Sequence, residues 1–118
     1  MSSMPDDIAR RAAAALSGEF GPGLAAAVEA RLQPGAAPRV FADPVTATIA
    51  LAALLVSAGK AGWDIYRDVK KGAAPAPAPQ VLERRLRIAI GEVPGVTTAQ
   101  RDRAITVVVE EIVKTPEP

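Results

Sequence analysis

The sequence predicts a mainly α fold, a small helical domain around one long central helix over 44–71. Three observations predict it. Asp43 to Lys71 is the longest stretch without a breaker pair, and it opens on Asp43-Pro44, an N-cap followed by a proline where the missing N–H costs nothing. Gly21-Pro22-Gly23, Gln33-Pro34-Gly35 and Pro94-Gly95 cut most of the remaining chain into helix-length segments. Thr97-x-x-Gln100 is a capping box placed just before an apolar pattern of period 3.6. The competing fold is α+β, with a minimal sheet pairing 38–42 with 84–91.

In chain order, Ser2 or Ser3 caps a first helix with Pro5, Asp6 and Asp7 in its opening turn, where carboxylates favour the positive end of the dipole. Ile8, Ala12, Ala15 and Leu16 form its apolar face, opposite Arg10 and Arg11. Leu24, Val28 and Leu32 recur at i, i+4 and i+8 in a second helix, so 5–33 reads as a helical hairpin. Pro38 to Ala42 is an extended connector or strand. In the central helix, Val45 to Ser57 carries no charge; beyond it Ser57, Lys60, Asp64, Arg67 and Lys71 make one polar stripe. Such a helix is buried all round at its start and on one side at its end.

Alternating Ala-Pro over 72–79 favours polyproline II and separates residues 1–71 from a C-terminal part, 80–118, with a frayed tail. Over 80–93 the apolar residues fit both periods: Val81/Leu82, Leu86, Ala89/Ile90 and Val93 as a helix, Leu86, Ile88 and Ile90 as a strand. Length favours the helix. Ile105, Val108, Val109, Ile112 and Val113 form the apolar face of a last helix, although Val107-Val108-Val109 has poor helix propensity.

Composition narrows function chiefly by exclusion. The 118 residues suffice for one small domain, 49% hydrophobic but only 3% aromatic, so alanine must build much of the core. The absence of cysteine and histidine removes disulfides, thiolate zinc sites, cysteine nucleophiles and every histidine-based triad. Net charge is +1, with no basic footprint for nucleic acid. The hairpin's second helix offers only Glu29 and Arg31 to a groove, too little for a DNA reader. The start, Met-Ser-Ser-Met-Pro-Asp-Asp, lacks the basic and apolar regions of a secretory signal, so a cytoplasmic location is expected.

Candidate chemistry is sparse. Asp6/Asp7 and Glu110/Glu111 are sequence neighbours whose side chains diverge by about 100° on a helix, so each pair reads as a solvated face, not a catalytic dyad. Lys60 would be a nucleophile only if buried; with Ser57 and Asp64 beside it, it reads as reaching water. Arg84, Arg85, Arg87, Arg101 and Arg103 are the densest basic region, partly offset by Glu83, Glu92 and Asp102 and without aromatics to stack on bases.

The stretch 44–66 also reads as a membrane span. Trp63, Tyr66 and Lys70-Lys71 follow it like an interfacial anchor, which would leave the C-terminus cytoplasmic at the inner membrane. Its alanine content and Asp64 weigh toward a helix buried in protein.

The segments D-P-V-T, W-D-I-Y-R-D-V-K-K and E-R-R-L-R-I-A-I with Q-R-D-R-A-I-T-V-V-V-E-E-I-V resemble small uncharacterised actinobacterial proteins, some of them accessory to larger effector enzymes. The resemblance covers roughly residues 40–113 and implies an accessory or signalling role, with no functional residue attached. The expectation is therefore a non-catalytic interaction module, without cofactor, metal or small-molecule substrate, that works by helix packing. Its partner is itself or another protein. The contact residues would be Leu51, Leu54, Leu55, Trp63, Ile65 and Tyr66, the largest side chains of the central helix. A membrane-anchored or membrane-disrupting protein is the alternative.

Overall fold

A computed structural model describes residues 4–21, 23–33, 47–72 and 79–114, and within them the chain is five α-helices with no strand. They are α1 (Met4–Phe20), α2 (Gly23–Leu32), α3 (Ala47–Gly72), α4 (Pro79–Ile90) and α5 (Thr98–Lys114). The α+β alternative fails at 84–91, nearly all of which is helical in α4. There the length of the amphipathic run outweighs the strand preference of Ile88 and Ile90. The expected strand at 38–42, the Asp43-Pro44 cap, the Ser2 or Ser3 cap, the 73–78 core of the Ala-Pro spacer and the tail from Thr115 lie outside the described residues.

Local signals set the helix ends. Gly21, at φ +91°, closes α1 by donating its N–H to the Ser17 carbonyl at 2.9 Å, a left-handed cap that a side chain would strain. The capping box of α5 is fully formed: the Thr97 N–H donates to Gln100 Oε1 at 2.9 Å, and the Gln100 N–H donates to Thr97 Oγ1 at 3.1 Å. Between α4 and α5, Val96 N–H reaches the Val93 carbonyl at 3.2 Å across Pro94 and a positive-φ Gly95, the residue order of a type II turn.

The long helix α3 is central. It packs against α1, α2, α4 and α5, while α1 also meets α2 and α5, and α4 meets α5. Points of close approach fix the directions. Gly59 faces Pro5 and Ala9 of α1, Gly62 faces Leu86 of α4 and Ile112 of α5, and Gly95 and Gly23 lie beside Ala50 and Thr48 at the start of α3. Thus α1 and α4 run antiparallel to α3, and α2 and α5 run parallel to it. Among the described residues α2 and α4 do not touch, so the ring around α3 is open on one side. Ile49, Ser57, Lys60, Asp64, Arg67 and Asp68 are exposed there, and the predicted polar stripe is present as far as its side chains are described.

One buried cluster runs through all five helices. Its aliphatic anchors are Ile8, Leu16, Leu24, Val28, Leu51, Leu55, Leu86, Ile105, Val108 and Ile112, with Ala9, Ala12, Ala13, Ala52, Ala58 and Ala104 between them. Two details of the expected faces are corrected. On α1 the buried partners of Ile8, Ala12 and Leu16 are Ala9 and Ala13, whereas Ala15 is exposed, because the stripe drifts with the 3.6-residue turn. On α5 the buried face includes Ala104 and Val107, while Val113 is 43% exposed.

Alanine is the better helix former by about 1 kcal/mol, yet Gly59→Ala is expected to destabilise the fold, because its Cβ would lie 2.9 Å from the Pro5 carbonyl oxygen, a backbone atom. At Gly62 the nearest obstacle is the Ile112 Cδ1 at 2.7 Å, the end of a side chain that can rotate, so Gly62→Ala is expected to cost less. Denaturant unfolding of both variants measures the order. Thr97→Ala should lower the unfolding free energy by about 1 kcal/mol in the same assay, by removing the α5 cap.

Candidate interaction surface

The large side chains of α3 face inward. Leu51, Leu54 and Leu55 are essentially fully buried, Trp63 and Tyr66 are buried with their rings stacked at 5.7 Å, and Ile65 is half-buried. All six belong to or pack against the chain's own core. Sequence reasoning identifies them as the helix's main source of buried area, and their neighbours in the fold are α1, α2, α4 and α5.

The polar candidates separate cleanly. Lys60 is exposed on the open side of α3, with Asp64 one turn away, and forms no buried cation. Glu110 is exposed as expected, but Glu111 is not on a solvated face: it is 9% exposed and accepts a hydrogen bond from Arg11 Nε at 3.2 Å, with Lys114 Nζ at 3.5 Å. The pairing joins α5 to α1 across a sequence gap that no local pattern reveals. Two further ion pairs tie the helices at their rims. Arg10 Nε donates to Glu29 at 2.6 Å, linking α1 to α2, and Arg103 pairs with Glu19 at 2.8 Å, linking α5 to α1. Hydrogen bonding to Glu29 raises the pKa of Arg10, and hydrogen bonding to Glu19 raises that of Arg103. Both guanidiniums are solvent-facing, so these pairs set orientation more than stability.

The α4–α5 connection walls a cavity of about 510 Å³ lined by Glu92, Val93, Pro94, Val96, Thr97, Thr98 and Arg101. Its groups are engaged in local structure. Arg101 donates to the Gly91 carbonyl and to Asp102, both at 2.9 Å, and Thr97 serves the α5 cap. No acid–base or nucleophile–base pair converges in its lining. Among the described residues no cluster of three or more carboxylates is placed to hold a metal ion.

The feature that stands apart is the outward face of α4. Leu82 and Leu86 point into the bundle, whereas Ile88 points away from it, 78% exposed, and Val81, seven residues earlier on the same side, lies at its edge, 44% exposed. Arg84 and Arg85 lie on the same side, one turn from each. The helix thus carries two apolar stripes on opposite sides, of which the fold covers one. The signal was present in the sequence: once 80–90 is helical, Ile88 falls half a turn from Leu86 and cannot share its face. Reading Val81 and Leu82 as alternatives for one position hides the second stripe.

No protein-family model, curated protein or solved structure matches this chain. The surface itself is therefore the basis for a functional reading.

Because Leu54 is 3% exposed inside the chain's own core, Leu54→Asp is expected to unfold the single chain. Circular dichroism should show loss of the cooperative thermal transition at any protein concentration. A folded variant would place Leu54 outside the stabilising core.

Proposed function

We propose that this chain is a non-catalytic interaction module that docks a partner protein by helix packing, through the outward face of α4. The observation that carries the reading is the pairing of Val81 with an Ile88 that is 78% exposed, on a helix whose other face is already held by α3 and α5. An exposed aliphatic stripe at i and i+7 is the pattern by which helices seat on one another, and single scattered exposed hydrophobics do not show it. The side chains first expected to make the contact, Leu51, Leu54, Leu55, Trp63, Ile65 and Tyr66, then act indirectly by holding the platform that presents α4. An accessory role, as the resemblance to accessory proteins implies, fits a domain of this size.

The single-span alternative draws on one observation: Thr48–Asp68 is long and apolar enough to cross a membrane, at a mean hydropathy of 1.3. Half of that window is buried by the neighbouring helices, and Lys60 and Asp64 lie together on its uncovered side. A core helix accounts for all three facts, whereas a span would bring both charges into the bilayer or its interface and strip α3 of its partners. Detergent-free extraction followed by high-speed centrifugation is expected to leave the chain in the supernatant; recovery only in a carbonate-resistant pellet would favour the span.

The docking reading is tested by a photo-cross-linking residue at position 88, with position 14 on the exposed side of α1 as control. A discrete adduct is expected at 88 alone, weakened at least severalfold by Val81→Asp. Equal labelling at both positions, or none, would reject this face. An adduct of the chain with itself would identify the partner as a second copy.

A further inference from the structure

We infer that the partner segment seated on α4 is an acidic amphipathic helix; the inference rests on the docking reading above and adds the chemistry of the occupant. Arg10, Arg11, Arg101 and Arg103 each have a carboxylate partner: Glu29, Glu111, Asp102 and Glu19 respectively. Arg31, Arg67, Arg84, Arg85 and Arg87 have no such partner among the described residues, and of these Arg84 and Arg85 flank Val81 and Ile88 on the outward side of α4. The nearest carboxylate in sequence, Glu83, is turned toward α5, where it accepts a 2.6 Å hydrogen bond from the Thr106 hydroxyl. The outward face of α4 therefore combines an aliphatic centre with two unneutralised guanidiniums, and its electrostatic complement is an aliphatic stripe edged by Asp or Glu.

Other occupants fit less well. A second copy packed symmetrically on this face would bring Arg84 and Arg85 toward their own counterparts. From Val81 to Ile88 the stripe spans only about 10 Å of helix, well short of the roughly 800 Å² per partner of a standard interface. A short helix laid along the stripe needs less area. Nucleic acid would meet two arginines separated by aliphatic side chains, with no aromatic to stack on a base. An anionic bilayer would gain only two aliphatic side chains from a helix whose other apolar face is committed to the bundle.

The test is a display selection of random amphipathic helical peptides against the full chain, with Ile88→Asp and Arg84→Glu/Arg85→Glu as counter-baits. Circular dichroism first confirms that both variants keep the wild-type fold, as exposed positions should. Enriched peptides are expected to carry apolar residues at i, i+3/i+4 and i+7 flanked by Asp or Glu, to lose binding to both variants by about tenfold or more, and to weaken as salt rises. Peptides that need Ile88 but show no acidic bias, or that tolerate the arginine reversal, would overturn the inference while leaving the docking face standing. Peptides indifferent to both variants, or no enrichment at all, would overturn both. Sedimentation with phosphatidylglycerol vesicles, lost in Arg84→Glu/Arg85→Glu and accompanied by no acidic peptides, would replace the acidic helix with a membrane surface.

Discussion

Two glycines of α3, Gly59 and Gly62, leave the space that α1, α4 and α5 occupy against it. An added Cβ at Gly59 would sit 2.9 Å from a backbone carbonyl of α1, and one at Gly62 would press on both Ile112 and Leu86. The two glycines lie three residues apart, about 60° around the helix, and open adjacent approaches, α1 at the first and the α4–α5 pair at the second. Beside them Ala58 and the buried alanines of α1 keep the separation short. Close approach matters here because a core with few aromatics gains little from any one side chain. Its dispersion energy depends on many small contacts at good distance. Small residues on α3 are thus a requirement of this packing, not a weakness of composition.

That requirement also explains why α3 is so apolar. A helix surrounded by four others has few positions left for charge, and its polar residues collect where, among the described residues, α2 and α4 do not meet and Lys60 and Asp64 emerge. A core helix inside a small protein and a bilayer span reach similar hydropathy for different reasons. On α3 the apolar sides meet side chains of the same molecule, from Leu51 at one end to Trp63 and Tyr66 at the other.

Much of this architecture is legible in the sequence because its signals are local. The Thr97–Gln100 box, the glycine closing α1, the hairpin of α1 and α2 and the polar stripe of α3 each depend on residues within a turn or two of one another. What escapes depends on geometry between distant segments. Glu111 looks like half of a solvated acidic pair until α1 brings Arg11 to it from a hundred positions away. Val113 fits the apolar period of α5, but α5 turns it to the edge of the packed surface, where it stays 43% exposed. The candidate site lies between these cases. The residues chosen from size, Leu51 to Tyr66, are recovered as core, since bulk on a central helix reports burial without saying what does the burying. Val81 and Ile88 required only the decision that 80–90 is a helix, after which their direction follows from the period.

The function proposed for α4 follows from an imbalance in how this small core covers its helices. Each of α1, α2 and α5 turns its main apolar stripe inward and ties its rim with an ion pair to a neighbour. α4, the second shortest of the described helices, touches only α3 and α5 among them, and has aliphatic residues on both sides. Burying Val81 and Ile88 within the chain would require another element outside α4. Leaving them exposed sacrifices on the order of 1–3 kcal/mol of burial for each side chain. Ile88, 78% exposed, contributes little to the isolated fold, whereas Val81, 44% exposed, is covered over part of its surface. Arg84 and Arg85 gain no ion pair from the described chain, as is also true of Arg31, Arg67 and Arg87, but they lie on the same side of α4 as Val81 and Ile88. Four neighbouring positions on one side of α4 that are mutually consistent as one contact surface, aliphatic at the centre and basic at the sides, are more economically explained by a partner than by the fold.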